Sequence, residues 1–191
     1  DFTTGMGKKV WWKCDKGEDH EWEMSIASRA SSGQGCTICR GFKVVKSNCL
    51  ATLNPDLSKE WHPILNGNLT PYNVIPGTSK KVWWKCGKGE DHEWQASIKN
   101  RNRGAGCGVC AGKIIVLSNC LKTLYPKISN QWHLIKNKDL HPNQFTAGSH
   151  KKVWWKCKSN SDHYWESTIN SRTNPTNLTG CPLCANKTNP Q

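Results

Sequence analysis

Lys80-Lys81-Val82-Trp83-Trp84-Lys85-Cys86 decides the fold, because the chain spells this heptapeptide three times. The other copies occupy residues 8–14 and 151–157, and the closing cysteines lie 72 and then 71 residues apart. A fixed period of this kind marks a chain built by copying one unit. Each copy continues in the same order. Asp-His-x-Trp follows as Asp19-His20-Glu21-Trp22, Asp91-His92-Glu93-Trp94 and Asp162-His163-Tyr164-Trp165. Ile-x-x-Arg comes next, ending at Arg29, Arg101 and Arg172. The last element is Gly-Cys-x-x-Cys, with Cys36 and Cys39, Cys107 and Cys110, and Cys181 and Cys184.

The segments between copies repeat as well. Ser47-Asn48-Cys49-Leu50 parallels Ser118-Asn119-Cys120-Leu121, and each leads to Trp-His (Trp61-His62, Trp132-His133). These stretches are the first half of the following unit. The expected division is therefore 1–46, a zinc module whose first half is missing, then 47–117 and 118–191, two modules each preceded by a helical half. Phe2-Thr3-Thr4-Gly5 aligns with Phe145-Thr146-Ala147-Gly148, and Cys184-Ala185-Asn186-Lys187 stops where another Ser-Asn-Cys-Leu would begin. With no initiator Met, this pattern is expected of a segment of a longer protein.

Each copy reads Cys-x5-His and, 14 to 17 residues on, Cys-x2-Cys. Three thiolates and an imidazole in two close pairs form a tetrahedral structural zinc set. The expected ligands are Cys14, His20, Cys36 and Cys39; Cys86, His92, Cys107 and Cys110; and Cys157, His163, Cys181 and Cys184. A lone Cys-x-x-Cys would serve equally as a redox pair. Three copies of a four-ligand set with one fixed step favour metal. Cys49 and Cys120 are left over. They are expected as small buried side chains, since a second metal site would need two further ligands and none repeats.

Four protein ligands leave no open coordination position, which points to structure rather than catalysis. Zinc deaminases also combine His with Cys-x-x-Cys, but need Glu two residues after the His. Here Trp22, Trp94 and Trp165 hold that place. His-Glu-x-x-His, Gly-x-Ser-x-Gly and a phosphate-binding Gly-x4-Gly-Lys are absent, so no enzymatic activity is expected.

Composition narrows the class further. The 191 residues carry 27 Lys and Arg against 14 Asp and Glu, a formal charge of +13. Only 36% are hydrophobic and no apolar run reaches membrane-spanning length. Eleven cysteines, an odd number, cannot all pair within the chain, and a reducing intracellular compartment (cytoplasm, nucleoid, nucleus or virion) is expected. Three Zn2+ with nine thiolates would lower the charge to about +10.

The heptapeptide alternates as a strand does. Val10, Trp12 and Cys14 share one face, while Lys9, Trp11 and Lys13 share the other. His20, Trp22 and Met24 alternate inward in the next segment, closing a hairpin around residues 15–19. Short helices are expected over residues 48–53 and 55–61, the second opened by Pro55. Trp12, Trp22, Trp61 and their equivalents are expected in small cores. Trp11, Trp83 and Trp154 each stand between two lysines on the other face. Two readings remain for them: stacking on a base beside phosphate-bound lysines, or packing on the preceding half-repeat under lysine stems. The expected nucleic-acid contacts are Lys9, Trp11, Lys13 and Arg29; Lys81, Trp83, Lys85 and Arg101; and Lys152, Trp154, Lys156 and Arg172. Glu21, Glu23, Glu93 and Glu166 on the second strand are read as leaving only one side electropositive.

The order Trp-His…Leu-x-Pro…Lys-Lys-Val-Trp-Trp-Lys-Cys…His-x-Trp…Arg…Gly-Cys-x-x-Cys resembles the probable zinc-ribbon, or treble-clef, domain family, over nearly the whole chain. The resemblance implies the twelve ligands named above. It also implies association with nucleic acid by context. Most members have Pro after the first Cys of the last pair; only Pro182 matches, while Thr37 and Gly108 depart, which should alter the knuckle turn and not the ligands. The expected fold is a set of small α+β zinc-stabilised modules: three tandem repeats, each a β-hairpin plus zinc knuckle, joined by short helical segments. The expected function is a non-enzymatic zinc array binding DNA or RNA. The alternatives are a protein-interaction or assembly module in a larger nucleoprotein or viral complex, and the recognition segment of a nuclease. Neither a membrane nor a small-molecule substrate is expected as partner.

Overall fold

A computed structural model describes residues 3–176 and 178–185. Phe2 and Asn177, and the end of the chain from Asn186, lie outside the described residues, so the alignment of Phe2 with Phe145 has no structural counterpart here. Three antiparallel hairpins follow one another along the chain: β1 (Lys9–Lys13) with β2 (Glu21–Ser25), β3 (Lys81–Lys85) with β4 (Glu93–Ser97), and β5 (Lys152–Lys156) with β6 (Tyr164–Thr168). Their registers are equivalent. Trp12 faces Trp22, Trp84 faces Trp94 and Trp155 faces Trp165. Directly opposed residues share a face of the sheet, so each hairpin puts two indoles on its inner side.

Each second strand runs into a five-residue helix: α1 (Ile26–Ala30), then further on its equivalents over Ile98–Asn102 and Ile169–Thr173. The junction is built by a hydroxyl cap. Ser25, Ser97 and Thr168 accept the N–H of Ser28, Asn100 and Ser171 at 3.2–3.3 Å, satisfying a donor that a helix start leaves open.

The intervening halves are short helices, as their sequence predicts. They are α2 (Leu50–Leu53) and α3 (Pro55–Ser58), and, in the next copy, Leu121–Leu124 and Pro126–Ser129. Pro55 and Pro126 sit in the first helical turn, where a missing N–H costs nothing. Each half then joins the exposed edge of the next hairpin. His62 N donates to Trp83 O at 3.1 Å and Lys85 N to Glu60 O at 2.7 Å; His133 and Lys156 repeat this with Trp154 and Gln131. A side-chain clamp completes the edge. Asn66 accepts from Trp83 N at 2.8 Å and donates to Trp83 O at 2.9 Å, and Asn137 does the same at Trp154.

Contacts group the chain into two compact units, Asp1–Gly87 with Glu93–Gly106, and Lys88–His92 with Cys107–Gln191. In the first, Trp22 and Ile38 pack with Trp12 and Met24 around one hairpin, and Trp61 meets Trp84 edge-on at 5.4 Å around the other. In the second, Leu121, Trp132, Val153, Trp155, Trp165 and Ile169 form the core, with Trp132 edge-on to Trp155 at 5.4 Å. Trp84 and Trp155 are fully enclosed. Trp12, expected in the core, is only half-buried. Trp61 and Trp132 pack edge-on against Trp84 and Trp155. Cys49 and Cys120 are fully buried, in keeping with the reading as small core side chains. Among the described residues, no helix is long and apolar enough to cross a membrane, and no disulfide joins any of the eleven cysteines.

Removing a fully enclosed indole leaves a cavity that a half-buried one does not. Trp84→Ala should lower unfolding stability by about 3–5 kcal/mol, and Trp12→Ala by clearly less. Denaturant unfolding of the zinc-loaded protein measures both, and equal losses would contradict this packing.

Candidate metal centres

Cys14 and His20 flank the tip of the first hairpin, where Cys14 N donates to His20 O at 3.0 Å. Five residues between them close a loop that turns both side chains to one side. The second pair comes from a knuckle in which Cys39 N points at Cys36 Sγ at 3.5 Å and Gly41 takes a positive φ of 74°. Cys110 N and Gly112 reproduce that turn in the second repeat.

The four donor atoms of each set lie within 4.8 Å of one another: Cys14, His20, Cys36 and Cys39; Cys86, His92, Cys107 and Cys110; Cys157, His163, Cys181 and Cys184. Bonds of about 2.3 Å to sulfur and about 2.0 Å to nitrogen at tetrahedral angles would space neighbouring donors about 3.5–3.8 Å apart. The observed separations match. Cys14 and Cys39 sulfurs are 3.8 Å apart, and His20 Nδ1 is 3.8 Å from Cys36 and 3.3 Å from Cys39. In the third set the corresponding distances are 3.6, 3.7 and 3.4 Å. His92 Nδ1 lies 3.3 Å from Cys110. Desolvation and then the neighbouring sulfurs of Cys14 and Cys36 push the Cys39 thiol up to about 11. The sulfurs of Cys157 and Cys181, then desolvation, push Cys184 up to about 11. In the same sets Cys36, despite burial, and Cys157 are drawn down by backbone N–H groups, so the close sulfurs share their protons unequally. The donor set and its spacing fit one structural Zn2+ per repeat.

Outer partners fix the imidazoles, and these were not read from the sequence. His20 Nε2 meets Ser47 Oγ at 3.1 Å, and Ser47 N donates to Asp19 at 2.8 Å, which leaves Nδ1 to face the metal. Ser118 donates to Asp91 through both its hydroxyl, at 2.6 Å, and its N–H, at 2.8 Å. Ser47 and Ser118 thereby hold Asp19 and Asp91 below the ordinary carboxylate range. The signal was present: Asp before each His and Ser before each Asn-Cys-Leu both repeat. Gly17 and Gly89 let the ring approach, since a Cβ at either would stand 2.6 Å from the histidine Cδ2. The third repeat has Asn160 at that position, and its amide reaches His163 Nε2 at 3.3 Å.

The expected nucleic-acid residues divide on inspection. Lys9, Lys81, Lys152 and Lys156 are exposed, while Lys13 pairs with Glu21 at 3.1 Å and Lys85 with Glu93 at 3.0 Å. Trp11 is 70% exposed. Trp83 and Trp154 are half-buried against the preceding half, and Lys136 Nζ lies 4.4 Å from the Trp154 ring centroid. Arg101 and Arg172 are inside, 7% and 4% exposed. Each guanidinium lies 5.2–5.3 Å from two indole centroids, Trp84 and Trp94 or Trp155 and Trp165. Arg101 also binds Ala105 O and Glu60; Arg172 binds Thr179 O and Gln131. Held this way, neither presents its charge to a phosphate, and both serve the core. Arg29 is half-buried over Trp12 and Trp22, donating to Gln34 O at 3.0 Å.

The acidic residues also need correction. Trp11 opposes Glu23, Lys13 opposes Glu21, Lys85 opposes Glu93 and Trp154 opposes Glu166. These carboxylates therefore share the Lys-Trp-Lys face instead of leaving it uniformly positive.

Zinc analysis of protein purified without chelator should give three ions per chain, matching the three donor sets. Gly89→Ala, which sets a methyl against the His92 ring where the third repeat carries Asn160, should weaken the second site while three ions remain bound. Ser47→Ala should weaken the first site about 10–100-fold in competition with a chromophoric chelator. Unchanged affinity in either variant would refute these roles.

No functionally curated protein matches the sequence. The family model described as "Probable Treble clef zinc finger domain" matches residues 1–42, 57–113 and 128–187, one match for each donor set. Three repeats with the family's hairpin, knuckle and ligands cover most of the chain, and it belongs to the probable treble clef zinc finger family.

Proposed function

We propose that the chain is a non-enzymatic zinc array that binds nucleic acid, DNA or RNA, through its phosphates. The observation that carries this reading is the distribution of charge. Residues 118–191 hold ten Lys and Arg against three Asp and Glu, whereas residues 1–46 hold eight against six. A net positive charge concentrated in the last module suits a polyanion partner. Four protein ligands on each metal support the absence of catalysis. The cysteine-rich ligand sets suit a reducing compartment.

Lysines carry the contacts in this reading: Lys9, Lys81, Lys152 and Lys156 directly, and Lys13 and Lys85 only in exchange for their pairs with Glu21 and Glu93. Trp11 adds a stacking surface, flanked by Lys43 with its Nζ 5.9 Å from the ring centroid. A base–aromatic stack contributes about 1–3 kcal/mol and tolerates any sequence.

A second reading, a protein-interaction module, draws on a different observation. Leu53 and Leu124 are exposed at equivalent positions, as are Ile64 and Ile135 at 78% and 85%. Repeated exposed aliphatics are a pattern for a protein partner. That reading requires a partner that survives nuclease treatment and is lost with Ile64→Lys and Ile135→Lys together.

For about six neutralised phosphates, the logarithm of the binding constant should fall against that of salt with a slope of about −5. Gel shifts or anisotropy over a salt series measure it. Binding that ignores salt, or none at low salt to single- or double-stranded DNA or RNA, rejects the nucleic-acid reading.

A further inference from the structure

The second and third repeats share one scaffold, and their equivalent positions can be compared directly. In the third, a groove of about 480 Å3 opens beside the first strand of the hairpin, lined by Lys127, Asn130, Gln131, Trp132, Lys156 and Lys158. The matching residues of the second repeat are Asp56, Lys59, Glu60, Trp61, Lys85 and Gly87. Two carboxylates and a glycine are thus replaced by a lysine, an amide and a lysine, while Lys59 gives way to Asn130. The strand partner changes as well. Lys85 is bonded to Glu93, but Lys156 stands opposite Tyr164.

Every ion pair that occupies this region of the second repeat is therefore gone from the third. Among the described residues, no carboxylate lies within ion-pair distance of Lys127, Lys156 or Lys158. Behind the groove, Arg172 is buried with no carboxylate where Arg101 has Glu60. It holds the Gln131 carbonyl at 2.6 Å, which leaves the Gln131 amide as the donor end. The Gln131 amide donates to Lys127 O at 3.4 Å, Asn130 adds a second amide, and the three lysines are the only charged side chains of the wall besides the metal ligand Cys157. The zinc centre that includes Cys157 at the groove carries a net −1, so three lysines leave the site near +2. The Trp132 ring supplies the one apolar surface.

We propose that this groove is the principal phosphate-docking site of the chain, taking the phosphodiester backbone of a nucleic acid across Lys127, Lys156 and Lys158. This rests on the nucleic-acid reading and sharpens it. The second repeat, with Asp56 and Glu60 in place, contributes little at the equivalent surface. Binding is therefore unequal along an array whose hairpins are nearly identical.

The test uses the full chain loaded with zinc, labelled DNA and RNA oligonucleotides, and two double variants of equal charge. Lys127→Gln with Lys158→Gln removes two of the three lysines of the groove. Lys122→Gln with Lys151→Gln removes two exposed lysines of the same repeat outside it. All four are surface side chains, and zinc content with far-UV circular dichroism verifies that both variants fold. The groove pair should lose roughly tenfold or more in affinity at moderate salt and flatten the log–log slope by about 2, at about 0.9 per phosphate. The control pair should lose clearly less. Equal losses in both pairs, in a protein that binds, would overturn the groove and leave the general reading standing. No binding by the unaltered protein would overturn the general reading and the groove with it.

Discussion

The structure depends on tetrahedral closure of two short chain segments around one ion. A hairpin tip and a knuckle supply two donors each, and 14 to 17 residues separate them. The element between is a strand and a five-residue helix, far too little to bury a core unaided. Domains of this size are stabilised by metals or disulfides when apolar burial falls short. Because three thiolates and a neutral imidazole assemble only around the cation, binding energy and folding energy are coupled. The rest of each repeat can then be economical. Two indoles and an aliphatic residue or two suffice, since the metal fixes where the strands and the knuckle meet.

A second contact ties the repeat together behind the metal. The arginine that ends Ile-x-x-Arg lies between the two opposed tryptophans and donates to a backbone carbonyl just ahead of the Cys-x-x-Cys. In the second and third repeats it also reaches the preceding half, through Glu60 or Gln131. One side chain therefore connects hairpin, helix, knuckle approach and helical half. A buried guanidinium is tolerable only with such company, because desolvating it alone would cost several kcal/mol. Two indole faces return part of that cost, at about 2 kcal/mol or more for a desolvated cation–π contact. Burial lowers the pKa of Arg172, while the sulfurs of Cys181 and Cys157 draw it the other way.

The metal ligands, the hairpins and the enclosed Trp84 and Trp155 were legible in the sequence, because each rests on a short fixed step repeated three times. Spacing and parity are local properties that survive without coordinates. Arg101 was not legible as a core residue. A repeated arginine reads equally as a surface cation, and what distinguishes it is Glu60, 41 residues away. Ser47 repeats in the sequence as Ser118, but which residue it serves needs the fold, because its histidine is 27 residues away. The acidic residues are a different case. A hairpin has two faces only, so once Trp22 turns inward Glu21 and Glu23 must join Lys9, Trp11 and Lys13; the alternation contained that result. The unequal fates of Trp11, Trp83 and Trp154 were not in the heptapeptide at all. Trp154 is covered by Lys136 from the preceding half and by Tyr164 from the facing strand.

Copying one unit fixes its interior and frees its exterior, and the carboxylate at the arginine shows how far that freedom extends. Glu60 in one copy and Gln131 in the next hold the same guanidinium from the same place in the fold. The exchange succeeds because the two indoles and a carbonyl already hold the arginine, so a neutral oxygen completes the set. Without those contacts, loss of the carboxylate would leave an unpaired buried charge, and the position could not vary. Once it can vary, Lys127 and Lys158 can occupy neighbouring surface without being drawn into an ion pair at Glu60. The metal and the arginine–tryptophan layer thus carry the stability that would otherwise constrain surface charge, and copies with nearly the same hairpin can differ in what they bind.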